Sequence, residues 1–139
     1  DLLELHYEKK IRNNVRIAYQ TPIDVKWDHE KEETSTICPY TFEDALIMTN
    51  LKLFRQEGLR KMGAITTIAN LLKKSDSATC FQNEIFKKLG NNSGFQKADF
   101  ANGLLYTDVF DKLQAPTYIQ EGLEWMKECL NTNRQDNGK

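Results

Sequence analysis

From Thr41 onward, apolar residues return at steps of three and four: Leu46, Ile47, Leu51 and Phe54, then Ile65, Ile68, Ala69 and Leu72, then Phe81, Ile85, Phe86 and Leu89. Each set makes one stripe at about 3.6 residues per turn, so the middle of the chain must be a succession of helices, each with a face to bury. Thr41 opens the first of them. Its hydroxyl can accept an orphan backbone N–H, and Glu43 and Asp44 stand where carboxylates favour the positive end of a helix dipole. Gly90-Asn91-Asn92-Ser93-Gly94 breaks the run. Two further helices are predicted, over about 95–113 and 117–130, the second opened by Ala115-Pro116. In that last helix Tyr118, Ile119, Gly122, Leu123, Trp125, Met126, Cys129 and Leu130 cover one side, which is expected to pack against something.

The first forty residues read differently. Leu2, Leu3, Leu5 and Ile11 among charges predict a short helix over 1–12. Val15, Ile17 and Tyr19 alternate with Arg16, Ala18 and Gln20, the period of a strand with one buried face, and Thr21-Pro22 stops it. Residues 26–33 mix both charge signs without a period and read as a solvated loop. At the other end the polar residues after Leu130 give a domain over 1–131 and a disordered tail over 132–139.

Composition narrows the function. The chain has 19 basic and 20 acidic side chains, so a broad basic face that would track phosphates nonspecifically is excluded. Cys38, Cys80 and Cys129 lie far apart, which removes close-pair zinc and thiol redox motifs and fits a reducing, cytoplasmic setting. No stretch reaches the roughly 20 apolar residues of a membrane span. The chain opens on Asp1 in a patterned segment, which is expected of a piece of something longer. P-loop, dinucleotide, zinc-protease, serine-hydrolase and calcium-loop motifs are all missing. His6 and His29 both lie among charged residues, so a histidine metal cage is not expected.

Three sets of residues could carry chemistry. Glu43 and Asp44 either cap their helix or offer carboxylate oxygens to a hard cation such as Mg²⁺. Lys97, within Phe95-Gln96-Lys97-Ala98-Asp99-Phe100-Ala101, either lays its stem over Phe95 or Phe100 or places its ammonium against a phosphoryl oxygen. Asp108 and Asp111, spaced i, i+3, read as a solvated helix face.

Four stretches in order resemble the C-terminal part of the OLD (overcoming lysogenisation defect) family of ATP-dependent nucleases, whose nuclease module is a Toprim domain. They are Val15-Arg16-Ile17-Ala18-Tyr19-Gln20-Thr21-Pro22, Tyr40-Thr41-Phe42-Glu43-Asp44-Ala45-Leu46-Ile47-Met48-Thr49-Asn50, Lys97-Ala98-Asp99-Phe100-Ala101, and the closing segment from Ala115 to Trp125. The resemblance implies an α/β fold, the later part of a Toprim-type parallel sheet flanked by helices, with a helical C-terminal region. It implies hydrolysis or nicking of DNA with two divalent cations, Mg²⁺ or Mn²⁺, in bacterial defence against phages. ATP would enter only through an upstream ATPase domain, which would also assemble a homo-oligomer. On this resemblance Glu43, with Asp44, matches the later acidic metal position, Thr41 lies beside it, and Lys97 matches the lysine that stabilises the phosphoryl transition state.

The chain departs from the family's pattern in lacking the early Toprim glutamate, the Asp-x-Asp pair and the ATP-binding residues, so alone it is not expected to cut DNA. Tyr40 stands where the family often has arginine. Two other readings compete: a non-catalytic helical interaction module docking through the last apolar stripe, and a Toprim scaffold retained for nucleotide sensing or assembly.

Overall fold

Helices take up most of the described residues because the stripes of apolar residues need a common core to bury them. The structure, a computed structural model, describes residues 10–13, 15–27, 34–57, 59–90 and 97–136. Two short hairpins come first: β1 (Ile11–Arg12) with β2 (Val15–Arg16), and β3 (Ile23–Lys26) with β4 (Thr34–Ile37). Six helices follow among the described residues: α1 (Phe42–Thr49), α2 (Leu51–Phe54), α3 (Ala64–Lys74), α4 (Ala78–Gly90), α5 (Lys97–Leu105) and α6 (Thr117–Asp136), with a 3₁₀ turn at Phe110–Lys112. The class is mixed α/β. Both pairings are antiparallel, so the parallel sheet implied by the resemblance is not among the described residues.

The predicted stripes form the core, except that Phe86, expected on the buried face of α4, is 49% exposed. Ile47, Leu51 and Phe54 meet Ile65, Ile68 and Leu72 of α3 and Phe81 and Ile85 of α4, with Phe100, Leu104 and Val109 closing the far side. The β3–β4 hairpin is anchored by Val25 and Ile37, while Asp24 and Lys26 alternate outward. A two-stranded ribbon is marginal by itself, so this packing is what holds it. Gly103 lets α5 approach α3: a Cβ there would lie 2.9 Å from Ile65 Cγ1 and 3.0 Å from the Met62 carbonyl oxygen. Gly103→Val is therefore expected to lose about 1–3 kcal/mol by overpacking, and thermal unfolding checks it; an unchanged melting temperature would mean the helices are not in contact there.

Several expectations need correction. Ile11–Arg12 belongs to a strand rather than a helix, and residues 1–9 lie outside the described residues. The 15–20 strand is confined to Val15 and Arg16, with the Ile17 N–H also donating to the Lys10 carbonyl at 3.0 Å, and Val15 and Ile17 are not on a buried side. Val15 and Ile17 are 63% and 58% exposed. The Arg16 side chain turns inward to Glu121 of α6 at 2.7 Å, with Lys10 Nζ 3.5 Å from the same carboxylate. Charge pairing across to α6, rather than apolar alternation, chooses the face.

Lys26 and Trp27 do not belong to a solvated loop: one is a strand residue and the other is packed. Lys26 ends β3, and Trp27 packs on Phe81 with ring centroids 5.6 Å apart while the Arg55 guanidinium lies 4.2 Å over its indole. Residues 28–33, His29 included, are outside the described residues, as is His6. The helix expected over 95–113 ends at Leu105, so Asp108 and Asp111 fall in turns instead of sharing a helix face. The final helix continues to Asp136, past the start of the expected tail. Its apolar side is only lightly covered: Tyr118 is buried, but Leu123, Met126 and Leu130 are exposed.

Candidate functional site

The loop Cys38-Pro39-Tyr40 delivers the chain to α1, and Thr41 caps that helix as its sequence predicts. Thr41 and Asp44 form a capping box, with the Asp44 N–H reaching Thr41 Oγ1 at 3.3 Å. Asp44 goes well beyond an ordinary cap. Its Oδ1 accepts from the Thr41 N–H at 2.7 Å, the Thr41 hydroxyl at 2.9 Å and the Ala45 N–H at 3.1 Å. Its Oδ2 accepts from the Tyr40 N–H at 2.9 Å and from Gln82 Nε2 at 3.4 Å. Gln82, from α4, also donates to the Cys38 carbonyl at 2.6 Å, so two helices hold the loop. Asp44 and Gln82 are buried, and both carboxylate oxygens of Asp44 are occupied.

Glu43 is buried too, but it is arranged for something else. Its Oε1 lies 3.3 Å from the ammonium of Lys97, the first residue of α5. Its Oε2 is inaccessible to solvent and has no hydrogen-bond partner among the described residues. A buried carboxylate oxygen left without a donor costs roughly 1–3 kcal/mol. Local stability does not explain Lys97 either, because a cation at a helix N-terminus opposes the dipole by about 0.3–1 kcal/mol. The ammonium side is 67% exposed while Glu43 keeps 8% of its side chain accessible, so the pair opens outward on the lysine side.

Sequence reasoning therefore located the pair, and the fold brings its members together from distant parts of the chain. It also left the roles of Glu43 and Asp44 open, and the geometry separates them: Asp44 serves the cap and Glu43 faces Lys97. Phe95 lies outside the described residues. Tyr40 is exposed and stacks edge-on against Phe86 at 5.1 Å.

Two neighbours of the site are not legible as such in the sequence. Tyr118, in the first turn of α6, is buried, and its phenol is pushed up from its usual pKa first by that burial and then by the charges of Asp44 and Glu43. Its phenol thus lies within electrostatic reach of the acidic pair. Asn50 is buried at the end of α1 and grips the loop entering α6: its Nδ2 donates to the Gln114 carbonyl at 2.8 Å and its Oδ1 accepts from the Gln114 N–H at 2.8 Å. This two-way bond fixes where Tyr118 starts. Asn50→Ala is expected to cost about 2–4 kcal/mol, since both Gln114 backbone groups lose their partner; chemical denaturation measures it, and a loss under about 0.5 kcal/mol would show that the loop is held otherwise.

Among the described residues no group of three His, Cys, Asp or Glu side chains could hold a metal ion, and no helix is long and apolar enough to cross a membrane. No family model and no solved structure matches the chain. It is, however, 33% identical over 135 residues to endonuclease GajA of Bacillus cereus (strain HuB5-5). The chain is related to an endonuclease. The match covers 93% of this chain and 18% of GajA, so the chain spans less than a fifth of that relative's length.

Proposed function

We propose that this chain is the later part of a Toprim nuclease module in an OLD-type ATPase-nuclease that cuts or nicks DNA in anti-phage defence. The observation that carries the reading is the Glu43–Lys97 pair: a buried carboxylate with one oxygen lacking a partner, set against an accessible ammonium. The similarity to GajA, an endonuclease, supports it. The parallel sheet, the early glutamate and the Asp-x-Asp pair would come from other parts of the protein. So would ATP binding and assembly into a homo-oligomer.

Glu43 fits a divalent ion such as Mg²⁺ or Mn²⁺, because its spare oxygen is a hard donor and no donor among the described residues competes for it. Asp44 fits less well, since a ligand role would require it to give up cap hydrogen bonds. Ions of this kind, when bound, supply an activated water and a counter-charge for the leaving oxygen. Within this chain, Lys97 places positive charge where a non-bridging phosphoryl oxygen can approach from solvent, and Glu43 orients that ammonium. Thr41 acts through the cap, fixing the backbone from which Glu43 projects.

The test is nicking of supercoiled DNA by the full-length protein with Mg²⁺ or Mn²⁺. The wild type is expected to nick and Glu43→Gln to fall to background; a Glu43→Gln protein that nicks at the wild-type rate overturns the assignment. The exposed Leu123, Met126 and Leu130 favour a second reading, a helical interaction module. A full-length sequence with neither upstream aspartates nor a P-loop would select it.

A further inference from the structure

An apolar cleft of about 560 Å³ opens between α1, α5 and the start of α6, and α1 and α5 are the helices that carry Glu43 and Lys97. Its walls include Phe42 and Leu46 of α1, Ala101 of α5, Phe110 of the 3₁₀ turn, and Gln114 and Ile119 around the start of α6. Phe42 is the neighbour of Glu43 in sequence, and Ala101 lies one helical turn, about 5.4 Å, beyond Lys97 on the same face of α5. The volume falls within the roughly 300–1,000 Å³ of small-molecule sites. Two of its aromatic rings are offered to solvent, Phe42 at 45% and Phe110 at 44% exposure. Gln114 is the single amide residue of the lining; Asn50 holds its backbone N–H and carbonyl, and the residue is exposed.

We infer that this cleft seats an unpaired nucleobase of a nucleic-acid strand whose phosphate lies against Lys97. The inference rests on the nuclease reading of that pair. Three features together select the occupant. Exposed phenyl rings offer stacking faces, which every base can use. An amide can both donate and accept at a base edge, a capacity that an aliphatic side chain docking from a protein would not need. The exposed ammonium one turn away complements the phosphate that a nucleotide brings with its base. A fully paired duplex cannot put a base into a cleft, so the substrate would be single-stranded, mismatched or opened locally by base flipping.

The experiment uses the full-length protein without divalent metal and an oligonucleotide carrying 2-aminopurine at an unpaired position. Binding is expected to quench the 2-aminopurine emission, and Phe110→Ala to weaken binding of that strand by about tenfold, with Phe110→Tyr restoring it. Gln114→Ala, at an exposed position, is the second variant and is expected to weaken binding as well. Unchanged emission on binding, or Phe110→Ala and Gln114→Ala both binding as the wild type, overturns the inference. So does a change of sedimentation in Phe110→Ala without a change in oligonucleotide binding, which would make the cleft a protein-docking groove. Nicking with Mg²⁺ separates this from the underlying reading: a protein that nicks but leaves the emission unchanged keeps the nuclease assignment and loses the base seat. One that quenches but never nicks does the reverse.

Discussion

Lys97→Ala in the full-length protein is expected to lower divalent-dependent nicking by a factor on the order of 10²–10³, the usual loss when one preorganised donor to a developing oxyanion is removed. The fold should survive. The Lys97 side chain is 67% exposed, so its pairing with Glu43 is worth no more than about 1 kcal/mol after solvent screening. Lys97→Arg keeps the charge but changes a compact point charge into a planar fork, and is expected to recover part of the rate. Two groups that act as one unit lose activity non-additively, so Glu43→Gln combined with Lys97→Ala should be scarcely slower than the worse single variant. Measuring initial nicking rates of the wild type and these four variants decides the matter. A Lys97→Ala enzyme within about threefold of wild type would leave the pair as a surface ion pair of the kind that contributes little.

How much of this was legible beforehand depended on which physical signal carried it. The α1, α3 and α4 stripes were readable because each buries one face of a helix against a common core, and Ile47, Ile65, Ile68, Phe81 and Ile85 are all inaccessible. The cap at Thr41 was readable because its donors are local in sequence. The β3–β4 hairpin was not, since Thr34-Ser35-Thr36-Ile37 and Ile23-Asp24-Val25-Lys26 each offer only short, half-polar alternation. The face of β2 was misread for a different reason: Glu121, over a hundred residues downstream, decides it through Arg16.

The same limit applies at the site. Family resemblance placed Lys97 and Glu43 together, whereas no periodicity could have shown that they meet. Tyr118 was hidden inside the last apolar stripe, and only its position in the first turn after Pro116 hinted at a separate role. Asn50 carried no signal at all, because its partner is a backbone segment 64 positions away.

Adjacent carboxylates with opposite purposes should respond oppositely to removal, and this gives the second large effect. Asp44→Ala deletes a buried acceptor of five hydrogen bonds and strands the Tyr40 and Thr41 N–H groups beneath the loop. Loss of a cap costs about 1 kcal/mol and each of the two stranded donors about 1–3 more, so roughly 3–7 kcal/mol should disappear. Against a typical total of about 5–15 kcal/mol, that is a substantial share, and a fall in melting temperature on the order of 10 °C is expected. Glu43→Gln should behave in the other sense. It replaces a buried anion whose Oε2 lacks a donor by a neutral amide of the same shape, so stability should hold or rise while nicking is lost. Thermal unfolding and nicking measured on the same two variants therefore cross: the Asp44 variant is unstable, and the Glu43 variant is stable but inactive. If Asp44→Ala melts with the wild type and loses its response to divalent ions while Glu43→Gln unfolds, the two roles are exchanged, and the metal-facing oxygen belongs to the residue assigned here to the cap.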